Sequence, residues 1–401
     1  MEHSIETRAV HGGRSDLRKL GVHAPPLDLS TTHPINGLHE AGERLEALAN
    51  GDASNGNPLY ARLGNQTVSR FEHALASLEQ SEAAVAFGSG MAAVTACLLA
   101  VRERGRHVVA VRPLYGGTDH LLSSDLLGIS VSWADASDVS KHVGADTALV
   151  VVETPANPTL DLVDIRNVVE QAGSVPVLVD NTFATPVLQS PLCHGAAFSL
   201  HSATKYLGGH GDVIGGVVAC SEDHARALRR VRVVTGGLLH PLGAYLLHRG
   251  LQTLPVRMAA AQANARSIAE RLEGHPAISR ILYPGFDECD PGGLVGRQMS
   301  GPGAMIAFEM AQGIEAAAAV LAHVRLVTPA VSLGSADTLI QHPAGLTHRV
   351  VDREALCRSG VTDGLLRLSI GLEHPDDIWQ DLAAALAAAS MRRSVRVRKA
   401  V

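Results

Sequence analysis

The stretch Ser199-Leu200-His201-Ser202-Ala203-Thr204-Lys205-Tyr206 starts as an apolar strand and runs into Leu207-Gly208-Gly209-His210-Gly211-Asp212, a glycine-rich loop. Lysine is rare in this chain. Lys19, Lys141, Lys205 and Lys399 are the only four, against 34 basic residues in all. Arginine therefore carries the generic surface charge, and a lysine set among small and hydroxylic residues stands out. Partial burial beside hydroxyls is a setting in which a lysine amine becomes a nucleophile. Lys399, by contrast, lies in a basic tail and Lys141 in a polar stretch.

Around this stretch, residues 83 to 220 alternate short β-branched runs with helical ones. Strands are expected at Ala83–Phe87, Val108–Val111, Ile129–Trp133, Ala148–Val152, Val177–Asp180, Phe198–His201 and Gly216–Ala219. Helices are expected between them, at Met91–Arg104 and Asp164–Ala172. Near-continuous apolar strands separated by helices predict a mostly parallel sheet covered on both faces. Ligands of such sheets sit beyond the carboxyl ends of the strands.

Two further strand ends carry suitable residues. Gly88-Ser89-Gly90-Met91-Ala92-Ala93 leaves a strand and opens a helix, so its backbone N–H groups can approach a phosphate. It also matches the G-x-G-x-x-A turn of a nicotinamide-dependent oxidoreductase, which stays open as a reading from a different class. That reading wants an acid about 20 residues on. The next strand ends Val109-Ala110-Val111-Arg112-Pro113 without one. A nucleophile elbow around Ser89 fails because Phe87 stands where its first Gly belongs. The second strand end is Val177-Leu178-Val179-Asp180-Asn181-Thr182, where Asp180 is either a ligand-facing acid or a cap for the turn. Together the three sites suit pyridoxal phosphate, which needs a Schiff-base lysine, an acid on the pyridine nitrogen and a phosphate cradle. Lys205, Asp180, and Gly90 and Met91 with Ser202 and Thr204 supply these.

The rest of the composition narrows the class. The chain has 401 residues, enough for two or three domains, with 46% apolar and 18% charged residues and a net charge of −6. That balance argues against a nucleic-acid surface, and no apolar run reaches the length of a membrane span. Met1 to Arg18 has no apolar segment of the secretory-leader kind, so a cytoplasmic protein is expected. Cys97, Cys193, Cys220, Cys289 and Cys357 are scattered without a C-x-x-C pair and read as reduced thiols. No motif among the 20 histidines calls for a metal.

The motifs resemble those of the Cys/Met-metabolism family of pyridoxal-phosphate enzymes, the trans-sulfuration group of methionine γ-lyase, cystathionine γ-lyase and cystathionine γ-synthase. The likeness runs through Tyr60-Ala61-Arg62, Ser89-Gly90-Met91, Tyr115-Gly116-Gly117-Thr118, Glu153-Thr154-Pro155-Ala156-Asn157-Pro158 and Asp180-Asn181-Thr182. It continues in Ser202-Ala203-Thr204-Lys205-Tyr206, Ser332-Leu333-Gly334, His342-Pro343-Ala344 and Arg367-Leu368-Ser369. The resemblance implies that Tyr115 stacks on the cofactor ring and protonates the leaving group, and that Asn157 lies near the ring hydroxyl. It implies that Tyr60 and Arg62 reach the phosphate of a neighbouring subunit, and that Arg367 with Ser332 binds the substrate carboxylate. Taken singly, Arg62 and Arg367 read as ordinary solvated arginines.

The architecture implied by the resemblance is a fold-type I, aminotransferase-like α/β chain assembled as a homotetramer of two site-sharing dimers. Residues 1–60, rich in Gly, Pro, Asn and His, read as an extended arm toward the neighbouring subunit. Residues 61–255 form the cofactor-binding domain and 256–401 a smaller α/β domain. Met258–Leu272 is expected as a connecting helix, followed by strands at Ala304–Met310 and Leu366–Ile370 and helices at Ile314–His323 and from Asp376 to Met391. Two departures bear on substrate. Val331 stands where cystathionine enzymes carry Glu, and His120 where cystathionine lyases tend to have Arg; both favour methionine or homocysteine. Gly117 stands where methionine γ-lyases commonly have Cys, and leaves the cystathionine activities as the alternative.

Overall fold

Each of the seven strands expected between residues 83 and 220 is present in the structure, a computed structural model that describes residues 3–53 and 58–398, with side chains as far as residue 390. Lys399 lies outside the described residues. The chain resolves into two compact units. One holds the chain up to Ala110 together with Gly128–Val152 and Ile165–Val256; the other holds Val111–Leu127, Glu153–Asp164 and the chain from Arg257 onward.

The first unit is built on a seven-stranded sheet of β1 (Ala83–Phe87), β2 (His107–Val111), β3 (Ser130–Ala134), β4 (Thr147–Glu153), β5 (Val177–Asp180), β6 (Phe198–Ser202) and β7 (Gly216–Cys220). Their spatial order is β1-β7-β6-β5-β4-β2-β3. β2 pairs with β4, and β5 with β6, in parallel. β7 runs antiparallel to both its neighbours. The reversal has a local cause. A parallel return usually crosses over through a helix, and the segment from β6 to β7, residues 203–215, carries the turn of Lys205 and no helix. β1, β4 and β7 are buried along their whole length. Phe87, Phe198, Leu149 and Leu200 are among the fully buried side chains of this core, each stabilising the fold by roughly 1.5–3 kcal/mol over an exposed position.

Helices flank this sheet. Gln66–Glu79 starts at Asn65, whose side chain accepts from the N–H groups of Thr67 and Val68, and Glu222–Thr235 starts at Ser221 in the same manner. Residues 1–60 differ from the expected extended segment, since they contain helices at Ile5–His11, Leu17–Leu20 and Leu38–Ala49. The last of these is rich in Leu, Ala and Glu, all strong helix formers. Its only buried residue is Leu48, so propensity rather than core packing marks it.

In the second unit a five-stranded sheet contains β8 (Ile278–Leu282), β9 (Met305–Met310), β10 (Thr328–Pro329), β11 (Leu339–Gln341) and β12 (Leu365–Ser369). Its order is β10-β11-β12-β9-β8, and only β10 and β11 pair in parallel. β12 is central and wholly buried. The helices Ile314–His323 and Pro375–Arg398 pack together in this unit. The expected helix at Met258–Leu272 begins earlier, at Leu254, with Pro255 inside its first turn. The missing proline N–H is harmless there, because first-turn N–H groups have no partner within the helix.

Candidate active site

Four neighbouring strands of the first unit bring the residues the sequence singled out to one edge of its sheet. Ser89 caps the helix Gly90–Ala100 by accepting from Ala92 N–H at 3.1 Å. A Cβ on Gly90 would sit 3.0 Å from Ser202 Cβ and 3.2 Å from its Oγ, so the glycine lets the helix start approach the end of β6 closely. A Cβ on Gly216, the first residue of β7, would sit 2.1 Å from the Ser89 carbonyl oxygen. Backbone N–H groups and the Ser202 hydroxyl thus converge at the positive end of an eleven-residue helix, the chemistry an anion needs.

Asp180 ends β5, next in the sheet to β6. Its Oδ1 accepts from Thr182 N–H at 3.0 Å and from Thr182 Oγ1 at 2.5 Å. Thr182 Oγ1 in turn accepts from Ser202 N–H at 2.9 Å, which ties the acid to the strand that leads into Lys205. Burial raises the Asp180 carboxyl above its ordinary value, while the two Thr182 bonds and His201 pull the other way. An acid so placed would suit a protonated ring nitrogen as its partner. Lys205 is half-buried in the turn after β6, with its N–H on the Ser202 carbonyl and its own carbonyl accepting from Gly209 N–H. Thr204 closes that turn by accepting from Gly215 N–H at 3.0 Å. The phosphate cradle, acid and lysine needed for pyridoxal phosphate are all present in one unit.

Sequence reasoning did not single out the layer behind this edge. Glu79 and His201 are both fully buried, and Glu79 Oε1 meets His201 Nε2 at 2.5 Å and the Ser199 hydroxyl at 3.0 Å. Asn181 Nδ2 reaches the same oxygen at 3.4 Å. His201 and Ser199 share one face of β6, and their alternation with Leu200 was the available signal. Tyr60 and Arg62 lie elsewhere on the first unit. Both are exposed, with the guanidinium 5.5 Å from the ring centre and Arg62 Nη1 donating to the Val233 carbonyl at 2.9 Å.

The second unit gathers the other expected residues from separate segments. Tyr115 precedes the helix Gly116–Ser123 and is 38% exposed. Its N–H donates to Glu153 Oε2 at 2.6 Å, and Asn157 N–H donates to Glu153 Oε1 at 3.1 Å. Arg367, on β12 and 2% exposed, donates from Nη1 to Asn157 Oδ1 at 2.6 Å and from Nη2 to the Ser332 carbonyl at 3.0 Å. With its amide oxygen turned inward, Gln341 accepts from both of these nitrogens. These three oxygens are neutral, so they aim the guanidinium without cancelling its charge. Ser332 has φ 145°, a region that L-residues seldom adopt, and in that conformation its carbonyl meets Arg367.

His348 and Gln341 went unnoticed in the sequence. His348 is buried, with Nε2 3.2 Å from the Asn157 carbonyl oxygen, and burial and Arg367 bring its pKa down to about 4. It is a neutral spacer at physiological pH. Val331 is 57% exposed and His120 is exposed, while Gly117 is half-buried. The exposure of Val331 weakens the expected penalty for a charged group beside it, because water remains available there. Among the described residues no group of three His, Cys, Asp or Glu side chains could hold a metal ion, and no helix is long and apolar enough to cross a membrane.

A half-buried lysine in the turn after β6, a half-buried acid at the end of the adjacent strand and a helix start opened by glycine are the groups that pyridoxal phosphate requires, and the fold is that of the fold-type I enzymes. The chain belongs to the family described as Cys/Met metabolism PLP-dependent enzymes, whose model matches residues 6–387. It is 60% identical over 384 residues to an L-methionine γ-lyase of Brevibacterium aurantiacum, covering 95% of this chain and 94% of that one. It is 54% identical to an L-methionine γ-lyase of Streptomyces avermitilis, covering 96% and 89%. The crystal structure of cystathionine γ-synthase from Xanthomonas oryzae pv. oryzae with aminoacrylate and cysteine superposes with a TM-score of 0.90 at 35% identity, covering 98% of this chain and all of that one.

Proposed function

We propose that this chain catalyses γ-elimination from methionine or homocysteine, taking up one water and releasing a thiol, 2-oxobutyrate and ammonia. The observation that carries this is its 60% identity to an L-methionine γ-lyase across nearly the whole length of both chains. The apolar, open Val331 next to Ser332 is consistent with a thioether end in that substrate.

Pyridoxal phosphate supplies an electron sink for the carbanion formed at the substrate Cα. Lys205 would hold the cofactor, and its amine, once free, would take the substrate Cα proton. Asp180 would pair with the ring nitrogen and favour its protonated form. Ser202 and Thr204, with the N–H groups at Gly90 and Met91, bind the phosphate. Arg367 takes the substrate carboxylate in its fork, with the Ser332 carbonyl setting its angle. By the family resemblance, Asn157 would serve the ring hydroxyl, and Tyr115 would stack on the ring and deliver a proton to the departing sulfur. Gly117 and His120 line the side-chain end of the substrate with Val331.

Site sharing extends the proposal. Residues 1–60 form an arm to a neighbouring subunit, 61–255 the cofactor domain and 256–401 the C-terminal domain, in a cytoplasmic homotetramer of two dimers. Leu20, Val22, Leu29, Ile35, Leu38 and Leu45 are all exposed in the described part of the arm, an apolar concentration that suits a covered surface. Tyr60 and Arg62 then complete the partner's phosphate site. Mixing Arg62→Ala and Lys205→Ala chains should restore part of the activity, since hybrid dimers then hold one intact site. Hybrids confirmed by mass and still inactive would rule out sharing.

A second reading is cystathionine γ-lyase or γ-synthase activity. It is favoured by Gly117, which stands in place of the expected Cys. A panel of methionine, homocysteine, cystathionine, cysteine and O-acylhomoserines, with oxo-acid and thiol identified, decides between the two.

A further inference from the structure

We propose that Glu153 is a positioning residue for this reaction, a single carboxylate that fixes the proton-donor loop and the carboxylate-clamp loop together. The side chain is buried at 4% exposure, and each of its oxygens takes a different backbone N–H, Oε2 from Tyr115 and Oε1 from Asn157. Each oxygen thus reaches one loop, so the carboxyl group is one of the ties that set the spacing between them.

Both loops are held from their other sides as well. The Tyr115 carbonyl accepts from Thr118 and Asp119 N–H at 2.8 and 3.0 Å, which starts the helix behind it. Gly116 cannot carry a Cβ, which would lie 2.1 Å from the Thr347 carbonyl oxygen. The Asn157 carbonyl meets His348 Nε2, and its side-chain oxygen meets Arg367. Glu153 is therefore a bridge between two segments that His348 also ties, its ring paired with the Leu114 and Asn157 backbones. Tyr115 keeps an exposed ring on a fixed backbone, and Asn157 keeps the Arg367 fork aimed.

Chemistry dictates the residue type. A carboxylate accepts at both oxygens, whereas an amide offers one acceptor and one donor. Glu153→Gln sets an NH2 group against one of the two backbone N–H groups, so one loop must move away. Asn157 is fastened also through Arg367 and His348, so the amide NH2 turns toward Tyr115, and the effect falls on protonation of the leaving sulfur rather than on Cα proton removal by Lys205. This selectivity rests on the proposed function, but the clamp itself does not.

The test pairs amide hydrogen exchange on the cofactor-free protein with kinetics on the holoenzyme, in Glu153→Gln and the charge-keeping Glu153→Asp. Exchange at Tyr115 and Asn157 should accelerate about tenfold or more in Glu153→Gln, with the β5 and β6 amides unchanged. Methionine elimination should fall about 100-fold, the cost of misplacing a reacting group, while deuterium exchange at Cα changes less than about threefold. O-acetylhomoserine, whose leaving group departs as a stable carboxylate, should lose less than methionine. Glu153→Asp keeps both acceptors and should lie between wild type and Glu153→Gln in every measure. Unchanged amide exchange in both variants overturns the clamp. Equal losses in elimination and Cα exchange overturn the selective role and leave only a structural one. Absence of thiol release by the wild type instead defeats the proposed function, with amide exchange still deciding the clamp.

Discussion

The two units reach their chemistry by opposite routes. In the first, Gly88–Met91, Asp180 and Ser202–Lys205 lie at the ends of neighbouring strands, and sheet pairing alone brings them together. In the second, Tyr115, Glu153, Asn157, Ser332 and Arg367 come from four separated segments, joined by hydrogen bonds between side chains and backbone. The first site depends on ionisable groups held at a buried edge. The second depends on a charged fork aimed by neutral oxygens. Loss of a group from the first should therefore abolish chemistry, while changes in the second should mostly redirect it.

The largest expected effect is at Lys205. Lys205→Ala removes the covalent anchor and the base together, and turnover should fall by about 10⁴-fold or more. Circular dichroism should remain that of a folded protein, because the side chain leaves a half-buried turn rather than the core. Borohydride trapping of the wild type followed by peptide mapping should place the pyridoxyl group on Lys205. A label on Lys19 or Lys141 would break the first half of the comparison outright.

Asp180→Asn comes next. Asparagine can still accept from Thr182 but cannot hold a proton on the ring nitrogen, so turnover should fall by roughly 10²–10³-fold with cofactor still bound. Stability should move in the opposite sense. Burial raises the Asp180 carboxyl above its ordinary value of 3.8, so between 3.8 and the folded value the native state holds more protons than the unfolded one. Its stability is therefore greatest below 3.8 and is lost as pH rises through the folded value. The cofactor-free Asp180→Asn variant, which lacks this charge, should melt higher than wild type at neutral pH, and the gain should shrink as pH falls toward 3.8. A lower melting temperature at neutral pH would show that the carboxylate is satisfied without the cofactor.

The same contrast explains how much could be read from the sequence. β1 and β7 are apolar along their length, β4 and β5 are apolar up to the acids that end them, and buried strands need no distant context to be recognised. Lys205 stood out because this chain uses so few lysines. Nothing local marks His348, a histidine between Thr347 and Arg349 in a polar run, as buried; its surroundings are Asn157 and Arg367, the former far away in sequence. Glu153 was visible within a motif, but its two partners are backbone N–H groups, which carry no sequence signature. Arg367 read as a surface cation, and only its place on the central strand β12 makes it a buried fork. Local periodicity thus conveyed strands and their ends, while the second unit's network needed tertiary contacts or family resemblance.

Val331→Glu is the smallest effect and bears on the second half of the comparison. Cystathionine carries an ammonium at its distal end, where methionine has a methyl group. Val331 offers that ammonium no counter-charge, yet it is 57% exposed, so water offsets part of the cost. The remaining penalty is about 1.4 kcal/mol, near the low end for an imperfectly paired polar group, which corresponds to about tenfold in kcat/KM. Wild type should therefore prefer methionine to cystathionine by about tenfold. Val331→Glu supplies the counter-charge and also brings a carboxylate against the thioether methyl, so it should narrow or reverse the preference from both sides. Because neither Lys205 nor Asp180 is touched, deuterium exchange at Cα should stay near the wild-type rate with either substrate. If the wild type handles both substrates equally well, or if Val331→Glu leaves the ratio unchanged, then Val331 does not set specificity and cystathionine γ-lyase becomes the better reading. A matching loss in Cα exchange would instead show that the second unit's residues influence proton removal, and the division of labour between the units would fail.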